Sequence, residues 1–271
     1  MSMGAERSNG AVWDSTLYAG NTAHHRAFDD AVLAGADLRP GQDALDVGCG
    51  VGDLTARVAE LVSPGGSVLG IDAAAGMIAD ASQRSRPGLR FAVCTAQDLA
   101  TVVAPESVDV VLSVACLHWV PGGDHPGILT AVRQALRPGG TFRAEFGGAG
   151  QIAAARAVLD EESARLGGPT GPWYFPTAEE YAARLTDAGF SLDGGHVRLV
   201  RQRRAVPDGA GMLGWLRSQV LVAYTPGLPD DRARAEFAAA AERRCLDELR
   251  RPDGTYDQDY VRLDLLAHGA S

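Results

Sequence analysis

Leu45-Asp46-Val47-Gly48-Cys49-Gly50-Val51-Gly52-Asp53 is the stretch whose reading decides the fold of this chain. A short apolar run holding one acid meets three glycines at alternate positions, and a second acid follows. In an open parallel sheet, ligands lie beyond the carboxyl ends of the strands. Gly48, Gly50 and Gly52 fall at such an end. Missing side chains there let backbone approach a ligand, and the next helix offers its free amide donors. A dinucleotide-binding loop reads GxGxxG, and that pattern fails because the sixth position from Gly48 is Asp53. A tight turn with no ligand accounts for one glycine well and for three alternating ones poorly.

Outward from this loop, short apolar runs alternate with helical patterns. Ala44 to Gly48, Ser67 to Asp72, Arg90 to Cys94, Val108 to Ala115 and Thr141 to Phe146 read as strands. Leu54 to Val62, Met77 to Ser85 and Gly127 to Leu136 read as helices, and SPGG and RPGG read as turns. This alternation predicts an α/β, doubly wound, mostly parallel sheet with helices on both faces. Beyond it, 152–166, 178–188, 211–222 and 231–250 read as helices, 189–200 is strand-like, and 260–269 alternates like a last strand. The late helices must sit outside the sheet, so they are expected to cap its ligand edge. The division expected is one domain over 1–271, with N-terminal helices over 1–40, a cofactor-binding core over 41–150, cap elements interleaved with a late strand over 151–258, and a last strand over 259–271.

Composition narrows the function. The 271 residues are 46% hydrophobic, enough for a large core. A formal net charge of -9 disfavours a nucleic-acid or anionic-membrane partner and favours a small molecule. No apolar run approaches bilayer length and the first ten residues lack a signal-peptide segment, so a cytoplasmic location is expected. All 25 basic residues are Arg, which excludes Schiff-base chemistry and a Walker A lysine. Cys49, Cys94, Cys116 and Cys245 form no CxxC pair and read as reduced thiols; no His and Asp cluster suggests a metal.

Asp72 ends the second strand, at about the distance from the glycine loop where an acid receives ribose hydroxyls in nucleotide folds; helix N-capping is its other reading. LDVGCGVGDLT, GIDAAAGMI, AQDL, VLSVACLHWV and LRPGG, in this order over Leu45 to Phe146, resemble the class I S-adenosylmethionine-dependent methyltransferases. ACLHWV and WDSTLY add a likeness to the trans-aconitate and juvenile-hormone-acid methyltransferases, which esterify small carboxylic acids. The resemblance implies a Rossmann-like seven-stranded sheet and S-adenosyl-L-methionine as cofactor. It implies that Asp46, Gly48, Gly50 and Gly52 line the methionine part, that Asp72 takes the ribose, and that Ala73 and Met77 pack on adenine. Ala96 and Gln97 would face the adenine edge, and the Ser113 carbonyl would reach the amino group. Thr95 stands where the family usually has an acid, which passes that contact to Gln97 or Asp98.

His118 follows a strand end beside the expected cofactor, as a donor, pocket wall or base. A carboxylate acceptor is ionised at neutral pH and needs no base. Tyr18, Trp119, Trp173 and Tyr174 are the aromatic candidates for the acceptor pocket; Trp215 reads as core. The loop Gly171-Pro-Trp-Tyr-Phe-Pro176 is a lid or a rigid crossing. Methylation of carbon or nitrogen, and a cofactor-binding protein without turnover, are the alternative functions.

Overall fold

The computed structural model of the chain describes residues 25–269. After helix α1 (His25–Gly35), β1 (Asp43–Val47), α2 (Asp53–Leu61), β2 (Ser67–Asp72), α3 (Ala75–Ala81) and β3 (Leu89–Val93) form the first half of the sheet. Then follow β4 (Val108–Val114), α4 (His125–Ala135), β5 (Leu136–Gly147), α5 (Ala153–Arg165) and α6 (Ala178–Asp187). The chain continues through β6 (Phe190–Val206), α7 (Gly209–Trp215), α8 (Asp231–Glu248) and β7 (Tyr256–Gly269). The sheet has seven strands in the order β3-β2-β1-β4-β5-β7-β6. β1 to β5 run parallel, and β7 is antiparallel to both its neighbours.

Side-chain alternation assigns the two faces. Leu45, Val47, Ile71, Val111 and Phe142 pack with Ile128, Leu129 and Val132 of α4 and Tyr181 of α6. Their neighbours Ala44, Val68, Val110 and Leu112 pack on Val32 of α1 and Val58 of α2. Strands buried on both faces are why the runs read as continuously apolar.

A third cluster belongs to the cap. β7 pairs with β5 only from Arg262 to His268, whereas β6 and β7 stay paired out to Val206 and Tyr256. The overhanging ribbon is the floor on which α5, α7 and α8 pack, joining Val206 and Tyr256 to Leu159, Trp215 and Phe237. α8 presents Ala233, Phe237, Ala240, Ala241 and Cys245 inward, a one-sided stripe at helical spacing, and its first turn is capped by Asp230, which accepts the Ala233 N–H at 2.7 Å.

Three expectations change in detail. RPGG does not precede β5 but lies inside it, with Gly139 at φ +73° and a register shift opposite Val108 and Val110. Residues 211–222 are not one helix: α7 gives way to a π-helical turn at Leu216–Val220 and then a 3-10 turn. The strand-like stretch 189–200 continues beyond its expected end, because β6 runs from Phe190 to Val206.

His125, fully buried at the start of α4, makes the fold pH-sensitive. Its Nε2 lies 3.3 Å from the Val120 carbonyl and its Nδ1 3.0 Å from the Tyr181 hydroxyl, so Nε2–H donates and Nδ1 accepts. Burial pushes its pKa down to about 4. The unfolded chain therefore binds the proton first as pH falls; this contribution to stability is complete above the ordinary histidine range and is lost between it and about 4. His125 by itself lowers Tm at pH 5 relative to pH 7 by a few degrees, so the change in Tm from pH 7 to pH 5 should be more favourable in His125→Gln than in the unaltered protein by about that amount. The variant comparison matters because Asp29 and Asp46, whose pKa values are raised by burial, act in the opposite sense. Identical pH profiles for both proteins would refute the assignment.

Candidate active site

Because β1 to β4 are parallel, Gly48, Asp72, Ala96, Gln97 and Ser113 all fall at the same edge of the sheet. The glycine loop is tied to β2 by the Gly48 and Cys49 N–H groups, which donate to the Ile71 carbonyl at 2.8 and 3.0 Å. All three glycines have positive φ, but they serve different needs. A Cβ on Gly48 would lie 2.3 Å from Cys116 Cβ, and one on Gly52 would meet the Phe91 ring at 2.8 Å. A Cβ on Gly50 would meet nothing within 4 Å. Gly48 and Gly52 thus make room for the protein's own side chains, and Gly50 presents bare backbone to open space.

Asp72 shapes that backbone. Its carboxylate accepts the Gly50 N–H at 3.0 Å and the Ala74 N–H at 2.8 Å. Burial raises its pKa, and the two N–H donors oppose the shift. Ala73 beside it is exposed, Met77 is buried, and Ala96 is buried on the following strand's exit. Gln97 donates to Asp124 at 3.1 Å, while Asp98 accepts from the Thr95 hydroxyl at 2.8 Å. Asp46 is buried under the loop and takes the Thr55 hydroxyl at 2.7 Å; burial pushes its pKa up to about 7, with Asp29 and Asp72 adding to the shift. Ser113 donates to the Val47 carbonyl at 2.9 Å. Burial also raises the thiols of Cys49 and Cys116, which keeps them protonated and unreactive. These features fit a cationic nucleoside: bare backbone at Gly50, an oriented carboxylate at Asp72, and an underlying acid whose burial leaves it short of positive charge.

Next to the loop, across Cys116, lies a cavity of about 60 Å3 between the sheet edge and the cap. Ala115 and His118 from the exit of β4 form one side. Ala115 has φ +54° and Ile152, on the opposite wall, φ +47°, a left-handed conformation that is costly for a β-branched residue. Ile152 is held there by its N–H donating to the Asp259 carbonyl at 2.9 Å. His118 Nδ1 accepts the Gly147 N–H at 3.3 Å, which places the ring proton on Nε2 and makes the neutral ring a donor, not a base. Gly147 has to be glycine: its Cβ would lie 2.5 Å from the Phe175 ring and 3.1 Å from Gln151 Cγ. Gln151 spends its Oε1 on the Val261 N–H at 2.7 Å, so its amide donors are the remaining half.

The aromatic loop resolves by alternation. Its backbone is extended, so Trp173 and Phe175 point one way, stacked at 5.9 Å and 13°, and both line the cavity with Trp119. Tyr174, expected at the acceptor pocket, points the other way: its hydroxyl donates to Glu180 at 2.6 Å and its ring sits against His125 at 4.7 Å. Trp215 belongs to the cap core as expected, and also reaches the cavity, donating from Nε1 to the Tyr260 hydroxyl at 2.9 Å. Tyr18 lies outside the described residues.

Phe175, Gln151 and Arg262 were not anticipated. Arg262 faces the cavity while Glu145 grips it in a fork, at 2.5 Å to Nε and 2.6 Å to the terminal nitrogen; the side chains are 4% and 7% exposed. The signal was present in the alternation of Arg143 and Glu145 on β5 against Arg262 and Asp264 on β7, charges at two-residue spacing within the apolar stretches Phe142 to Phe146 and Val261 to Leu266. Antiparallel register sets each arginine diagonal to an acid. Among the described residues, no three His, Cys, Asp or Glu side chains gather to hold a metal, and no helix is long and apolar enough to cross a membrane.

Residues 44–140 match the family described as a methyltransferase domain. The chain is 34% identical over 221 residues to the trans-aconitate 2-methyltransferase of Deinococcus radiodurans, spanning 75% of this chain and 81% of that one. It is 30% identical over 227 residues to the enzyme of the same name from Mycolicibacterium gilvum, covering 81% and 84% of the two chains. Among solved structures, a putative methyltransferase from Bacillus halodurans superposes with a TM-score of 0.62 over 90% of this chain and all of the other, at 13% identity, a likeness of fold alone. The chain belongs to the class I S-adenosylmethionine-dependent methyltransferases.

Proposed function

We propose that this protein O-methylates the carboxylate of a small molecule, holding S-adenosylmethionine across Gly48 to Gly52 and the acceptor in the adjoining aromatic cavity. The observation that carries the reading is the position of the cavity: Ala115 and His118, on either side of Cys116 in the chain, line it while Cys116 abuts Gly48, so that one side chain separates an acceptor there from the glycine loop. The relatives named for trans-aconitate methylation support the choice of a carboxylate.

When bound, S-adenosylmethionine supplies an electrophilic methyl group whose transfer to a carboxylate oxygen leaves a neutral thioether and moves no proton. Asp72 receives the ribose hydroxyls, Ala73 and Met77 pack on the adenine, and Ala96 and Gln97 border its edge. Asp46, under the loop, faces the amino-acid end with the Ser113 carbonyl, where a cation relieves the crowding of buried acids. His118 acts as a neutral donor on the acceptor carboxylate, orienting it without neutralising it. Trp119 and Trp173 close the cavity and exclude water, so rate comes from position and a dry environment.

Two measurements test this in sequence. Calorimetric titration with S-adenosylmethionine and S-adenosylhomocysteine should show saturable binding of both; binding of neither overturns the seat. Turnover with methyl-labelled cofactor and small carboxylic acids should then give a product that releases volatile methanol in base, as methyl esters do. Label that stays fixed in base would place the methyl on nitrogen or carbon and remove the ester reading.

A further inference from the structure

Arg262 carries the one guanidinium on the cavity wall among the described residues, and its charge is already met. Both its Nε and a terminal nitrogen are committed to Glu145, in a pair almost wholly removed from water. Breaking such a pair to serve a ligand strands one of the charges. The other polar side chains of the wall, His118, Gln151, Gln219 and Tyr260, are neutral. Between them the wall is flat and aromatic: Trp119 and Trp173 meet edge to face at 5.6 Å and Phe175 stacks on Trp173, with Ile152 and Val220 beside them.

A cavity of this kind balances a single negative charge on the acceptor, because the sulfonium cation brought by the cofactor matches it. A di- or tricarboxylate brings one or two further charges to a wall whose described residues hold no cation except Arg262, already paired with Glu145, inside a protein whose formal net charge is -9. We infer that the Glu145–Arg262 pair is a specificity determinant: by cancelling the wall guanidinium it selects a monocarboxylate carried on a flat aromatic or conjugated body, and rejects polycarboxylates. The inference rests on the proposed carboxylate methylation and departs from the substrate named for the relatives.

The direct test compares kcat/KM of the full-length protein, saturated with S-adenosylmethionine, for benzoate and trans-cinnamate against trans-aconitate. The better ring acid should exceed trans-aconitate by at least about tenfold, equivalent to about 1.4 kcal/mol. Equal or better turnover of trans-aconitate overturns the inference and leaves carboxylate methylation standing. Inert acids alongside methylation of a phenol or aniline of the same ring overturn both, and the base-stable product tells the two failures apart. Glu145→Gln supplies an independent reading, because it releases the guanidinium to a second carboxylate. The ratio of trans-aconitate to ring-acid kcat/KM should rise in the variant, whatever its absolute activity; an unchanged ratio removes Glu145 as the determinant. A merely structural role would lower both rates together. The wild-type comparison decides the substrate class even if the variant does not fold.

Discussion

Asp264→Ala should lower the unfolding free energy by about 3 to 5 kcal/mol, the cost of leaving a buried cation without its partner. Asp264 on β7 accepts from Arg143 of β5, from Arg198 Nε at 2.9 Å and from His196 Nε2 at 3.1 Å. Burial would raise its pKa, yet the charge of Arg143 and the Arg198 hydrogen bond hold it below the usual carboxylate range. Arg143 is only 4% exposed and its guanidinium otherwise meets the Ala144 and Leu265 carbonyls, so with Asp264 gone its charge has no water to turn to. When both variants are unfolded by urea titration, removing Asp30, whose pair with Arg57 is exposed, should cost less than about 1 kcal/mol. A loss below 1 kcal/mol in Asp264→Ala would mean that Arg143 is solvated after all, and that the β5–β7 seam is weaker than its burial indicates.

Asp72→Ala should weaken S-adenosylmethionine binding by about 1.5 to 3 kcal/mol, or roughly ten- to hundredfold, through loss of a charged acceptor. The structure adds a second reason, because the same carboxylate positions the Gly50 and Ala74 N–H groups. Asp72→Asn retains one acceptor oxygen and should fall between the two. S-Adenosylhomocysteine carries the same ribose without the sulfonium charge, so it should lose affinity by the same factor. A larger loss for S-adenosylmethionine would assign Asp72 to the charge and not to the sugar, and unchanged affinity for both would remove it from the seat altogether.

The half of the fold that carries the proposed cofactor seat was legible because its determinants are local. Strand, glycine loop and helix are consecutive from Asp43 to Leu61, and Gly50, in the loop after β1, and Asp72, at the end of β2, are 22 residues apart at the ends of neighbouring parallel strands that any doubly wound order brings together. Even there, the sequence could not divide the labour among the glycines. The clash of Gly48 with Cys116 and of Gly52 with Phe91 depends on side chains brought in from β4 and β3.

The half that carries the proposed acceptor cavity was legible only in outline. Its aromatic residues announced a pocket, but whether Tyr174 or Phe175 enters it depends on the phase of an extended loop, where a shift of one residue exchanges the two faces. The chain's own order of residues determined the parallel sheet, the edge at which the glycine loop and Asp72 meet, and the helices that pack beyond it. Tertiary structure decided the charge of the cavity, because Arg262 is neutralised by Glu145 from 117 residues away, through an antiparallel register that no local pattern encodes.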